Sequence, residues 1–75
     1  MSVETPTAAE IAQSYSAALD SVTVITDLMA LSSRDDDQTA TVARNVEHLE
    51  LMVAKTYWKK EDLAPLKAAI KAGKA

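Results

Sequence analysis

Only a few side chains in this sequence are of a type that could do chemistry. The single histidine, His48, sits in "VEHLE". A metal site built on it needs a second imidazole or a carboxylate one helical turn away. Arg44 and Met52 hold the i−4 and i+4 positions instead, so His48 reads as an exposed helical histidine. The triplet "DDD" at 35–37 resembles the opening of a calcium loop. Counted from Asp36, Glu47 falls at position 12, but Ala40 and Thr41 fill positions 5 and 6, where that loop needs an oxygen ligand and a glycine. Helix capping accounts for the aspartates better. Five serines (14, 16, 21, 32 and 33) are candidate nucleophiles, and there is no cysteine. A serine needs a base and an orienting group beside it. One helical histidine and a lone glycine at 73 offer neither a triad nor a glycine-rich phosphate loop. The expectation is a protein that is not an enzyme, with no catalytic residue, no metal and no cofactor.

Lys59, Lys60, Lys67, Lys71 and Lys74 offer a different chemistry, contact with an anionic partner. The chain as a whole carries a net charge of −3 and a pI near 4.9, without the overall basic footprint of a nucleic-acid binder. Lys67, Lys71 and Lys74 line the side of a helix opposite Leu63, Leu66 and Ile70, as amphipathicity alone requires. The charge is segregated along the chain. Residues 1–37 hold seven acids and one arginine, a net of −6, and residues 55–75 hold six lysines and two acids, a net of +4.

Helices must position these groups. One glycine and two prolines in 75 residues leave little room for a loop-rich or β-rich fold. "TPTAAE" opens the first helix, either with Thr5 capping and Pro6 at the first helical position or with a capping box of Thr7 and Glu10. Ile11, Tyr15, Ala18, Val22, Ile25 and Met29 then follow at spacings of four and three, the rhythm of a helix packed lengthwise on another. "VTVIT" at 22–26 prefers strand by propensity, but the helical phase runs unbroken through it. The polar interval "SSRDDDQ" at 32–38 is the turn, and one of Asp35, Asp36 and Asp37 caps the next helix. Val42, Val46, Leu49, Val53 and Thr56 repeat the pattern. In "EDLAPLKAAIKAGK" the acids suit a helix start and Lys71 an end. Pro65 is tolerated only within the first turn, and Gly73 is a natural stop.

The fold expected is all-α, one domain over 6–75. An antiparallel hairpin of helices at about 6–32 and 37–58 is followed by a short third helix at about 61–72, and residues 1–5 read as a flexible tail. The N-terminus is acidic, unlike a targeting leader. The most apolar window, residues 17–31, holds Asp20 and Asp27, too short and too charged to span a membrane. A soluble protein follows, cytoplasmic or built into a larger particle.

A seam between two helices does not use all the large apolar residues. Leu51 and Trp58 fall on the back of the second helix, and Val24, Leu28 and Leu31 form a further stripe on the first. The third helix is expected to cover Leu51 and Trp58, with Trp58 as a lid between Leu51 and Leu66. The other stripe is left for another chain. Val24, Leu28, Leu31, Leu51 and Trp58 are thus the candidate interaction surface. A small core of this size gains little beyond its ordering entropy, which favours association with a copy of itself. The competing reading is a small regulatory protein that binds a protein or nucleic acid through its basic C-terminal part.

Residues 45–74, "NVEHLELMVAKTYWKKEDLAPLKAAIKAGK", resemble small helical proteins encoded by tailed bacteriophages. The resemblance rests on the "HLELMV" helix, the aromatic–tryptophan pair and "EDLAPLKAAI". It implies a virion component or an accessory protein, with no activity to carry over.

Overall fold

A computed structural model describes residues 6–75; the tail expected at 1–5 lies outside them. Three helices form the fold: α1 (Ala8–Met29), α2 (Asp36–Val53) and α3 (Lys60–Gly73). All-α architecture and an antiparallel α1–α2 hairpin are as the periodicity predicts.

The helix starts follow local chemistry. Thr7 takes the cap of α1: its hydroxyl accepts from the Glu10 amide at 3.1 Å, and the Glu10 carboxylate accepts from the Thr7 amide at 3.3 Å. Pro6 therefore precedes the helix instead of opening it. Of the three aspartates, Asp35 caps α2, accepting from the Gln38 amide at 2.7 Å, while the Gln38 side chain accepts from the Asp35 amide at 3.0 Å. Asp36 and Asp37 lie in the first turn, where their charge favours the positive helix end. The end of α1, at Met29 and not near 32, is held by Arg34, whose Nη1 donates to the carbonyls of Leu28 and Leu31 at 3.2 Å each.

Two boundaries differ from the sequence expectation. Helix α2 stops at Val53, five residues before Trp58. The Trp58 indole N–H turns back and donates to the Met52 carbonyl at 2.7 Å, which also accepts from the Lys55 amide at 3.1 Å. Thr56, one step further along the expected seam, is exposed in the connection. Helix α3 starts one residue earlier than expected, and its Asp62 carboxylate accepts from the Lys59 amide at 3.3 Å. Pro65 is its sixth residue, beyond the first turn. Its missing N–H deprives only the carbonyl of exposed Glu61, close to the helix start.

Helix α3 lies against both helices of the hairpin and runs the same way as α1. Near the α3 start the Tyr15 hydroxyl donates to the Asp62 carbonyl at 3.1 Å. At its far end Gly73 sits beside Ile25 of α1 and Val42 and Val46 of α2. The core is Ala18 and Ile25 from α1, Val42, Val46 and Leu49 from α2, and Leu66 and Ala69 from α3. Tyr15, Val22, Met29 and Val53, all assigned to the seam by spacing, pack on it half-buried. Alanine, serine and glycine at 18, 21, 69 and 73 let three backbones approach closely at this small core. Gly73 does not act as a helix stop. It is the last helical residue, no glycine of the described chain has positive φ, and the C-cap is Lys74 in ordinary right-handed geometry. Its lack of a side chain serves the close approach of α3 to Val46.

Candidate functional site

The one serine–histidine contact of the described chain joins α1 to α2. Ser21 Oγ and His48 Nδ1 are 2.8 Å apart. Folding the hairpin at 30–35 brings these residues level, and Ser21 lies on the α1 flank between Ala18 and Ile25. His48 is thus half-buried and not the exposed histidine that its own helix suggested. The signal was present: a serine on the flank of one helix and the only histidine of the partner helix, in antiparallel register. With Nε2 protonated, the Ser21 hydroxyl donates to Nδ1, and each polar group satisfies the other away from water.

A serine–histidine hydrogen bond is also the first contact of a nucleophilic hydrolase. The rest of that machinery needs an exposed Oγ, a group orienting the second imidazole nitrogen and donors for an oxyanion. Ser21 is only 5% exposed, and no described residue hydrogen-bonds to His48 Nε2. The arrangement does the work of a core hydrogen bond. Among the described residues no group of three potential metal ligands comes together, and no buried side-chain nitrogen or oxygen lacks a partner.

The corner "TYWKKEDLAP" contains the fold's main aromatic cluster. Trp58 is buried, 8% exposed. Its ring lies 5.4 Å from Tyr15 and 4.7 Å from Tyr57, tilted on both, within the range of favourable aromatic pairs. A shallow groove of about 340 Å³ opens beside it, walled by Ala8, Ile11, Ala12, Tyr15, Tyr57 and Trp58, with Lys59 and Asp62 at the rim. Two of the aromatic donors in its wall, the Tyr15 hydroxyl and the Trp58 N–H, already serve backbone carbonyls.

The five surface residues singled out by sequence separate into two groups. Trp58 is covered by its own chain. Because α2 has ended before it, Trp58 is not on the back of that helix, and its cover is Tyr15 and Tyr57. Leu28 packs against the core from its half-buried position. Leu51 is 64% exposed: α3 lies between α1 and α2 and does not reach the back of α2, so the expected cover over Leu51 is absent. Leu31 is 42% exposed and Val24 half-buried. Leu19, which the spacing did not single out, is exposed to a similar degree as Leu31.

The charges also take their places. Lys74 Nζ and Glu50 form an ion pair at 2.6 Å between α3 and α2, the one such pair among the described residues. Asp20 and Asp27 on α1, and Lys60, Lys67 and Lys71 on α3, are exposed. No described helix is long and apolar enough to cross a membrane. Comparison with protein families, with curated proteins and with solved structures finds no match to this chain.

Proposed function

We propose that this chain is a non-enzymatic interaction protein, a small helical subunit whose copies associate with one another. The observation that supports this is the outer side of α1 and of the bend that follows it. Val24 stands half-buried on α1, and Leu31, just past the helix end, is left 42% exposed by a core that takes in Leu28 beside it. Leu51 stands alone on the back of α2, and a single exposed leucine needs no explanation. Apolar side chains left side by side at the surface gain from cover. A subunit of a larger protein assembly, such as the virion implied by the resemblance at residues 45–74, is a setting that suits such a face.

Full burial of a leucine side chain is worth about 1.5–3 kcal/mol. The exposed part of Leu31 therefore contributes about 1 kcal/mol per contact, roughly fivefold in a dissociation constant. Light scattering over a wide concentration range tests the reading. The mass is expected to rise above one chain with concentration, and Leu31→Glu is expected to push that rise to higher concentration. A mass of one chain throughout refutes it.

A further inference from the structure

The outer faces of α1 and α3 carry matching patterns. On α1, Asp20, Val24 and Asp27 follow at spacings of four and three; on α3, Lys60, Ala64 and Lys67 follow at the same spacings, with Lys71 four further on. At 100° per residue, Asp20 and Asp27 lie about 200–220° round α1 from buried Ile25, and both are exposed. Ala64 and the three lysines are exposed as well, and none of these charges has an ion-pair partner among the described residues. On each helix the first and third positions carry the charge, one sign per helix, about 10.5 Å apart by the helical rise.

Resting on the reading that the chain self-associates, we propose that the outer face of α1 in one copy docks on the lysine ridge of α3 in the next. With the two helices running the same way, Asp20 stands opposite Lys60, Asp27 opposite Lys67, and Val24 meets the small Ala64. Running the opposite way, Asp20 stands opposite Lys67, Asp27 opposite Lys60, and Val24 meets half-buried Leu63. Charge complementarity therefore selects the two faces, in either direction. Leu31 lies past the end of α1, outside this register. Lys74 is outside the seam, since Glu50 of its own chain engages it.

The two faces differ, so the contact is heterologous: each copy offers a donor face and an acceptor face, and growth does not stop at two chains. Exposed charge pairs are screened by salt, with a Debye length of about 10 Å at 0.1 M and about 3 Å at 1 M.

The test uses two exposed double variants, Lys60→Asp/Lys67→Asp and Asp20→Lys/Asp27→Lys, with helicity checked by circular dichroism. At low ionic strength the unaltered chain is expected to scatter with a mass above two chains that falls as salt is added. Each variant alone is expected to need at least about tenfold more protein to associate. An equal mixture of the two is expected to regain association, because the reversed lysine face meets the reversed acidic face. Failure of the mixture to recover overturns the seam. Association that ignores both salt and the variants also overturns it, while leaving self-association itself standing. A single-chain mass at all concentrations ends both proposals. If the chain stays monomeric and its lysine ridge instead binds an acidic polymer, tested with single-stranded DNA, the proposal is likewise overturned.

Discussion

Replacing Gly73 by alanine sets two physical effects against each other. Glycine within a helix is less favourable than alanine by about 0.5–1 kcal/mol, so propensity alone makes Gly73→Ala stabilising. Packing predicts the opposite. A Cβ at position 73 overlaps Val46 Cγ2 and comes within 3.3 Å of Ile25 Cγ2 and 3.4 Å of Val42 Cγ1. Val46 cannot swing away, since a β-branched residue in a helix has essentially one rotamer and Val46 is buried. Forcing an extra methyl into a packed core costs about 1–3 kcal/mol. After the propensity gain, a net loss of roughly 0.5–2 kcal/mol is expected. For a domain this small each kcal/mol moves the melting temperature by about 4–8 °C. Thermal unfolding followed by far-ultraviolet circular dichroism should therefore show a fall of several degrees. Repeating Gly73→Ala in a Val46→Ala background removes the obstructing methyl, and there the alanine should be neutral or stabilising. A rise in melting temperature for Gly73→Ala alone would show that α3 does not approach Val46 as described and would refute the packing argument.

Two further substitutions probe the polar contacts of the core. Ser21→Ala leaves His48 Nδ1 without its partner and is expected to cost about 1–3 kcal/mol, read as a lower denaturant midpoint at unchanged slope; no loss would mean that the Ser21–His48 hydrogen bond is not formed. Trp58→Phe keeps an aromatic ring against Tyr15 and Tyr57 but removes the donor to the Met52 carbonyl. An expected loss of about 0.5–1.5 kcal/mol, measured by urea unfolding, separates that hydrogen bond from the ring packing, and an unchanged stability would sink the role given to that bond.

Features set within one helical turn were legible in the sequence. Spacing and local hydrogen bonding offer Thr7 with Glu10 as one of two starts for α1, place the cap of α2 among Asp35, Asp36 and Asp37, and give the phase of Val42, Val46 and Leu49. The hidden features depend on distant parts of the chain. Thr56 and Trp58 continue the apolar rhythm of α2, so no local signal ends that helix at Val53. Past that end the Trp58 ring packs on Tyr15, 43 residues before it in sequence, and its indole turns back to Met52. Gly73 follows a helical pattern and looks like a stop, whereas its role appears only once Val46 stands beside it. The setting of His48 is not visible from its own helix, because its partner lies on the other one. Chain continuity predicts cover for Leu51, but α3 fits between α1 and α2 and leaves the back of α2 bare.

The three passes of the chain also determine how the fold answers to mechanical force. Because α1 and α3 run the same way, Ala8 and Gly73 lie at opposite ends of the bundle. Tension between them acts along the helix axes, so the interfaces slide past one another before any helix peels away. The Tyr15–Asp62 hydrogen bond and the Gly73–Val46 fit resist that sliding at opposite ends of α3. A fold this small can therefore carry a pull from end to end through side-chain interlock, with no sheet and no covalent crosslink.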